Sequence, residues 1–237
     1  MAEAGAQFGR YELRGELGRG GFATVFRAWD VALGREVALK ALQAHLAIDA
    51  TIRQRFMAEA RAIAQLHHPN IITVHEVDEA NGRPFFTMEL INGPTLASLV
   101  APGQGLPLGR VAEIMRGLAS AVDYLHTRRL VHRDIKASNV MLDAWGRVVL
   151  MDFGVARALD QTQLTQSGIS IGTPEAMAPE QVRGQPAGPA ADIYALGVLA
   201  YRLLAGRAPF VGETIYVLHA HAYEPPPALS ELRPGLP

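Results

Sequence analysis

The feature that most limits what this chain can become is a change of hydrophobic period near residue 90. Upstream, "YELRGELG", "ATVFRAWD" and "REVALKAL" are short β-prone runs separated by the turn signals "RGG" and "ALG". One helical stripe interrupts them. In "DATIRQRFMAEARAIAQL", Ile52, Phe56, Ala60, Ile63 and Leu66 recur at helical spacing, with Asp49 available as a cap. "HHPN" stops that helix, and "IITVHEVDE" and "RPFFTMELI" follow as two more strands around "ANG". After the break "NGPT" the pattern is mostly helical: Val111, Ile114, Met115, Leu118, Val122 and Leu125 form one stripe in "RVAEIMRGLASAVDYLH". The expectation is an α+β chain, with a small sheet and one helix, a short hinge, and a larger helical part.

Composition narrows the function classes. The chain has 237 residues, 49% hydrophobic, enough to bury a core, and its net charge of −1 supplies no basic excess for wrapping nucleic acid. Without cysteine there is no disulfide framework and no thiolate metal site. The N-terminal "MAEAGAQFGRYELRG" lacks the apolar core of a signal peptide. The most apolar run, "AGPAADIYALGVLAYRLLAG", carries Asp192 and Arg202, so it reads as a buried helix rather than a membrane span. A soluble, cytoplasmic chain with no membrane segment and no nucleic-acid partner is expected.

Its basic residues are unevenly chosen: 20 are arginine, and Lys40 and Lys136 are the two lysines. An ammonium is a compact point charge and a guanidinium a wide planar fork, so they are not interchangeable where geometry matters. The neighbours of both lysines suggest phosphate. "LGRGGFATV" puts Gly18, Gly20 and Gly21 between two strands, where backbone N–H groups can approach anionic oxygens. It leads into a strand, which excludes a Rossmann turn, and no Gly-Lys-Ser/Thr follows, which excludes a Walker loop. "VALK" sets Lys40 among apolar neighbours, and Glu59 on the following helix is a candidate partner; read alone, the two make an inter-element ion pair. "HRDIKASN" supplies Asp134, Lys136 and Asn139 as base, point charge and metal-binding amide, and Asp152 in "LMDFGVA" suits a hard cation. His219 and His221 lack a third ligand and read as ordinary helix residues.

In this order the fragments resemble the signature set of bacterial, eukaryotic-like (Hanks-type) serine/threonine protein kinases, from about residue 8 to the end. The resemblance implies a bilobal kinase fold, with an ATP-binding N-lobe at 1–91 and a C-lobe with the catalytic and activation loops at 92–237. It implies ATP and Mg2+ as cofactors and protein Ser/Thr hydroxyls as acceptors. By the same resemblance Lys40 holds phosphates and pairs with Glu59, while Asn139 and Asp152 hold magnesium. Asp134 would take or orient the acceptor's proton, and Lys136 would neutralise the γ-phosphoryl. Leu17, the glycine loop, Val25, Ala38, Met88, Glu89, Ile91 and Met141 would surround the nucleotide. Ile63, Val74, His132 and Phe153 would form a hydrophobic spine, making His132 packed structure rather than a base.

Control and departures follow from the same likeness. Thr173 would sit between Asp134 and Lys136. Arg133 marks kinases switched on by activation-loop phosphorylation, and Thr165 and Ser167 stand where relatives carry a T-x-T pair, to be modified through a transient homodimer. Ala23 replaces the loop's third glycine, and Ala176 stands where relatives have tyrosine. The resemblance also implies further helices beyond residue 237, with an arginine for Glu180; the chain is read as C-terminally truncated, with apolar surface bared on the helix around Asp192. A nucleotide-binding pseudokinase scaffold, or an inactive fragment, is the alternative. The intact Lys40, Asp134, Asn139 and Asp152 argue against the scaffold.

Overall fold

The computed structural model describes residues 5–153 and 174–235. Two compact units divide the chain, Met1–Asn92 and Gly93–Pro237.

The first unit is a six-stranded antiparallel sheet and one helix. In chain order the strands are β1 (Gln7–Phe8), β2 (Tyr11–Arg19), β3 (Ala23–Asp30), β4 (Arg35–Leu42), β5 (Val74–Ala80) and β6 (Arg83–Met88), arranged β1-β2-β3-β4-β6-β5. Directly opposed residues share a face, so register sorts the side chains. Phe26 pairs with Leu39 and Ala28 with Val37. Together with Phe8, Tyr11, Leu13, Ala41 and Phe85 they make one buried cluster. The opposite face carries Lys40, flanked by Val25 and Phe86, and Ala38, flanked by Met88.

Helix α1 (Ala50–Ala64) packs on that second face. Asp49 caps it, as its position suggested, accepting from the Thr51 and Ile52 amides at 2.7 and 3.1 Å. The helix buries Phe56, Glu59, Ala60 and Ile63. Phe56 meets Phe86 with ring centroids 5.5 Å apart. Glu59 therefore belongs to the stripe that covers the neighbours of Lys40.

The second unit is mostly helical: α2 (Leu96–Leu99), α3 (Leu108–Thr127), a 3-10 turn (Ala137–Asn139), then the hairpin β7 (Val140–Leu142) and β8 (Val148–Leu150). After the undescribed stretch come α4 (Pro179–Val182), α5 (Pro189–Ala205), α6 (Thr214–Tyr223) and α7 (Leu229–Leu232). α3 packs on α5 and β8. It buries Val111, Ile114, Leu118, Val122 and Leu125 from the expected stripe, leaving Met115 only half-buried. α5 ends at Gly206, whose φ of 75° is left-handed and whose N–H closes on the Arg202 carbonyl.

The two charges in the apolar run of α5 are both partnered. Arg202 pairs with Glu175, and Asp192 is fully buried among hydrogen-bond donors. Near Asp192, Pro189, Ala190 and Ile193 are exposed, while Ala191 is buried. Further along α5, Tyr194, Val198 and Tyr201 line a groove of about 610 Å³ with Phe210 and His221.

His219 and His221 have separate surroundings. His219 is exposed beside Glu224, with 3.4 Å between Nδ1 and a carboxylate oxygen. His221 is buried; its Nδ1 shares a hydrogen bond of 2.8 Å with the Tyr194 hydroxyl, and Nε2 has no partner among the described residues. Burial pushes its pKa down from 6.5 to about 4. Its proton is therefore taken up more readily on unfolding, so stability is complete above the unfolded pKa and falls as pH drops from 6.5 toward 4. The loss over that window should be on the order of 1–2 kcal/mol, allowing for partial solvation. Melting curves at pH 7 and pH 5 should separate by less in His221→Gln than in the wild-type chain; equal separation would assign the acid sensitivity elsewhere.

Candidate active site

The two units contribute separate groups of residues. In the first, β2 carries two register shifts, between Leu13 and Gly15 and between Glu16 and Gly18, which bend it on approach to the glycine turn. The turn is closed by Gly20 N–H donating to the Ala23 carbonyl at 2.9 Å. Gln43, just past β4, steadies it from outside: its amide N–H donates to Phe22 and its side chain to the Gly20 carbonyl at 2.6 Å. An added Cβ at Gly18 or Gly21 would meet nothing within 4 Å, and neither glycine has a left-handed φ. The fold alone does not require glycine at these two positions.

Elsewhere in this unit, Ala38 and Met88 are buried, Val25 and Lys40 half-buried, and Leu17 exposed. Lys40 Nζ lies 5.8 Å from the centre of the Phe86 ring. Glu89 is fixed at the end of β6 by its N–H, which donates to the Thr73 carbonyl at 2.9 Å, while its carboxylate accepts from the Thr73 amide at 3.1 Å. Ile91 is buried two residues later, and Ile63 and Val74 are buried on α1 and β5.

In the second unit the loop 131–139 gathers the polar chemistry. Lys136 Nζ lies 3.1 Å from Asp134 Oδ2. Asn139 Nδ2 donates to that same oxygen and to the Asp134 carbonyl, each at 2.8 Å. The Asn139 carbonyl accepts from Met151 N–H at 2.8 Å, bringing Asp152 alongside Asn139. Two oxygen donors suited to a hard cation thus come from a short turn and from the second residue beyond β8. Met141 is half-buried on β7 and bridges to Thr95.

His132 is held in one tautomer. A backbone carbonyl can only accept, so Nε2 donates to Met151 O at 3.0 Å; Nδ1 then accepts from Asp134 N–H at 3.3 Å. Burial lowers its pKa, against the opposing pull of Asp192 and Asp134, and the ring packs 4.6 Å from Phe153. Both nitrogens are engaged in holding backbone. His132 is packed structure.

The loop is also strained. Arg133 and Asp152 have φ of 65° and 48°, left-handed values for residues with a Cβ. Each such residue costs about 1–3 kcal/mol and persists only where surroundings over-determine it. For Arg133 the surroundings are Asp192: Oδ1 accepts from Arg133 N–H at 2.8 Å, and Oδ2 from His132 N–H at 2.9 Å. Gln181 of α4 adds a bond of 3.4 Å to the Arg133 carbonyl. Arg133 Nε is buried without a partner among the described residues.

Asp192, Gln43 and Gln181 were not among the expected site residues. Asp192 did carry a signal, a carboxylate inside an otherwise apolar helix, which must find donors if buried. The glutamines carried none, since they act on backbone carbonyls brought near only by folding. Thr165, Ser167 and Thr173 lie outside the described residues.

The family model for the protein kinase domain matches residues 11–227. The chain belongs to that family. Among curated relatives, this kinase domain is 42% identical over 235 residues to a probable serine/threonine-protein kinase of Streptomyces coelicolor, covering 96% of this chain and 35% of that protein. It is 43% identical over 237 residues to the DNA damage-responsive serine/threonine-protein kinase RqkA of Deinococcus radiodurans, covering 97% and 35%. Against PknA of Mycobacterium tuberculosis the identity is 39%, over 97% of this chain and 54% of that one. The kinase domain thus spans between about a third and about half the length of these relatives. Among solved structures, the PknI kinase domain of Mycobacterium tuberculosis matches with a TM-score of 0.76 at 31% identity, covering 99% of this chain and 86% of that one. The α+β kinase fold expected from the motifs is therefore the fold observed. Among the described residues no helix is long and apolar enough to cross a membrane.

Proposed function

We propose that this chain is an active serine/threonine kinase domain that transfers the γ-phosphoryl group of ATP to serine or threonine hydroxyls of protein substrates. The observation that carries this reading is the Asp134 carboxylate, held by both Lys136 and Asn139 on a strained loop that a buried carboxylate anchors.

The residues fit magnesium-ATP. Gly18 and Gly21 stand where the fold does not demand glycine, which favours close approach of backbone to phosphate. Asn139 and Asp152 carry hard oxygen donors on segments joined by the Met151 N–H to Asn139 carbonyl bond, and Lys40 shares a sheet face with Val25, Ala38 and Met88. Bound magnesium-ATP supplies the phosphoryl group and neutralises its charge. The chain's residues bind, orient and move a proton: Lys40 holds phosphate oxygens and Glu59 orients Lys40. Val25, Ala38, Met88, Met141 and the backbone of Glu89 and Ile91 take the adenine. Asp134 receives the hydroxyl proton, and Lys136 stabilises the charge of the transferring group. Protein chains, not nucleic acid, are the partners in this reading, and the cytoplasm is where it operates.

The test is transfer of labelled phosphate from magnesium-ATP to a serine or threonine peptide, with Lys136→Arg alongside. The arginine variant keeps the charge but adds a planar fork beside Asp134, and its single-turnover rate should fall by about tenfold or more. Absence of transfer by the wild-type chain would leave the scaffold alternative standing.

Control follows the same chemistry. An anion brought to the half-buried Arg133 side chain would give its Nε, buried and without a partner among the described residues, a bond, and a phosphoryl group adds about −1.5 to −2 charges with several acceptors. Autophosphorylation at Thr165 or Ser167 in a transient homodimer is expected, with Thr173 completing the acceptor side. Intact-mass spectrometry and peptide mapping after incubation with magnesium-ATP should find phosphate on this segment. A Thr165→Ala, Ser167→Ala double mutant with full activity would count against the switch.

A further inference from the structure

The glycine turn between β2 and β3 needs restraint to hold one shape. Gly18, Gly20 and Gly21 carry no side chain, and glycine has the most backbone freedom to lose. The bond from Gly20 N–H to the Ala23 carbonyl closes the turn from within. Gln43 adds two more from outside, its own N–H to the Phe22 carbonyl at 2.9 Å and its side chain to the Gly20 carbonyl at 2.6 Å. A carbonyl only accepts, so the Gln43 side chain presents its NH2 group there. It reaches from a fixed base. Gln43 follows Leu42, the last residue of β4, and its own carbonyl accepts from the Leu46 and Ala47 amides, each at 3.0 Å. The Leu42 carbonyl in turn accepts from Arg83 Nε at 2.9 Å.

Holding the Gly20 carbonyl orients the donor beside it. In a planar trans peptide the C=O and the N–H point in opposite directions. The Gly20 carbonyl faces Gln43, so the Gly21 N–H points away from it. The closing bond of the turn employs the Gly20 N–H, not that of Gly21. An anion approaching on the side away from Gln43 therefore meets an N–H already aimed at it. Lys40, three residues before Gln43, lies opposite Val25. Strand β4 thus carries the proposed phosphate cation and leads directly into the side chain that ties down the turn.

We infer that Gln43 is a positioning residue for phosphate: by holding the Gly20 carbonyl it presets the Gly21 N–H as a donor to the phosphates of the bound nucleotide. This rests on the kinase reading above for its ligand, but not for its effect on the turn. Gln43 touches neither nucleotide nor substrate in this scheme. It lowers the ordering cost that a glycine-rich turn would otherwise meet on binding. Its loss should therefore weaken ligands that bring phosphate to the turn and spare the nucleoside alone.

The experiment measures binding of magnesium-ADP and of adenosine by calorimetry, for the wild-type chain and for Gln43→Met, which keeps length and volume without a donor. The methionine variant should bind magnesium-ADP about three- to tenfold more weakly, the worth of one hydrogen bond. Its affinity for adenosine should stay within about twofold. Independently of nucleotide, the Gly20 N–H should exchange with solvent about three- to tenfold faster in the variant. Gln43→Asn, one methylene too short to reach the carbonyl, should repeat both changes, and it stands alone if methionine impairs folding. Unchanged affinity for magnesium-ADP overturns the inference. So does equal weakening of adenosine and ADP, since that outcome assigns Gln43 to general packing, and so does wild-type exchange at Gly20. A wild-type chain that binds neither ligand overturns the nucleotide reading, and this inference falls with it. A chain that binds both, with affinities indifferent to Gln43, overturns the inference alone.

Discussion

Replacing Asp134 by asparagine is expected to slow phosphoryl transfer by about 10²–10⁴-fold, the usual worth of a positioned general base. The substitution keeps size and one carbonyl oxygen, so the contacts from Asn139 and Lys136 to this side chain retain an acceptor. What disappears is the capacity to accept a proton and the negative charge opposite Lys136. The KM for ATP should change little, because the groups proposed to hold the nucleotide lie elsewhere, and the melting temperature should stay close to that of the wild-type chain. Steady-state kinetics on a serine or threonine peptide, with thermal melting in parallel, is the measurement. An asparagine variant within a few-fold of the wild-type rate would show that Asp134 does not serve as base, whatever its geometry.

The second large effect is on stability, at Asp192. Each oxygen accepts from a backbone N–H, Oδ1 from Arg133 and Oδ2 from His132, and Oδ2 also meets His126. In Asp192→Asn one oxygen becomes an NH2 group, and either orientation of the amide points a donor at a backbone donor. The site is fully buried, so water cannot repair the mismatch. Breaking a buried charged network by changing one member costs about 3–5 kcal/mol. For a chain of this size that lowers the melting temperature by roughly 10 °C. The strain at Arg133 should be released at the same time, so activity should fall even well below the melting temperature. A variant that melts with the wild-type chain would mean that the left-handed turn is held by something other than this carboxylate.

Much of the small sheet was legible because strand patterning and turn chemistry are local. "ATVFRAWD" and "REVALKAL" alternate between two environments, and register follows once the hairpin closes: Phe26 and Leu39 share the core face, Val25 and Lys40 the other. Asp49 was readable as a cap because capping needs only the next two or three amides. Two short hairpin strands escaped a boundary, since three-residue runs such as Val140–Leu142 are too brief to show a period. Among site residues, Asp134, Lys136 and Asn139 were readable together because they lie on one short loop. Their common target, Asp134 Oδ2, was not.

By itself, the sequence determined the order of elements, the family motifs and the residue types available to phosphate, metal and hydroxyl. Each depends on spacing along the chain or on the chemistry of one side chain. Tertiary structure alone decided what holds those residues in place. Asp192 and His126 stand 66 residues apart, and Asp192 and Arg133 stand 59 apart. Local propensity carries no information about such pairs. Only folding, by removing water from the carboxylate and bringing three donors to it, turned one charge in an apolar helix into the anchor of the catalytic loop.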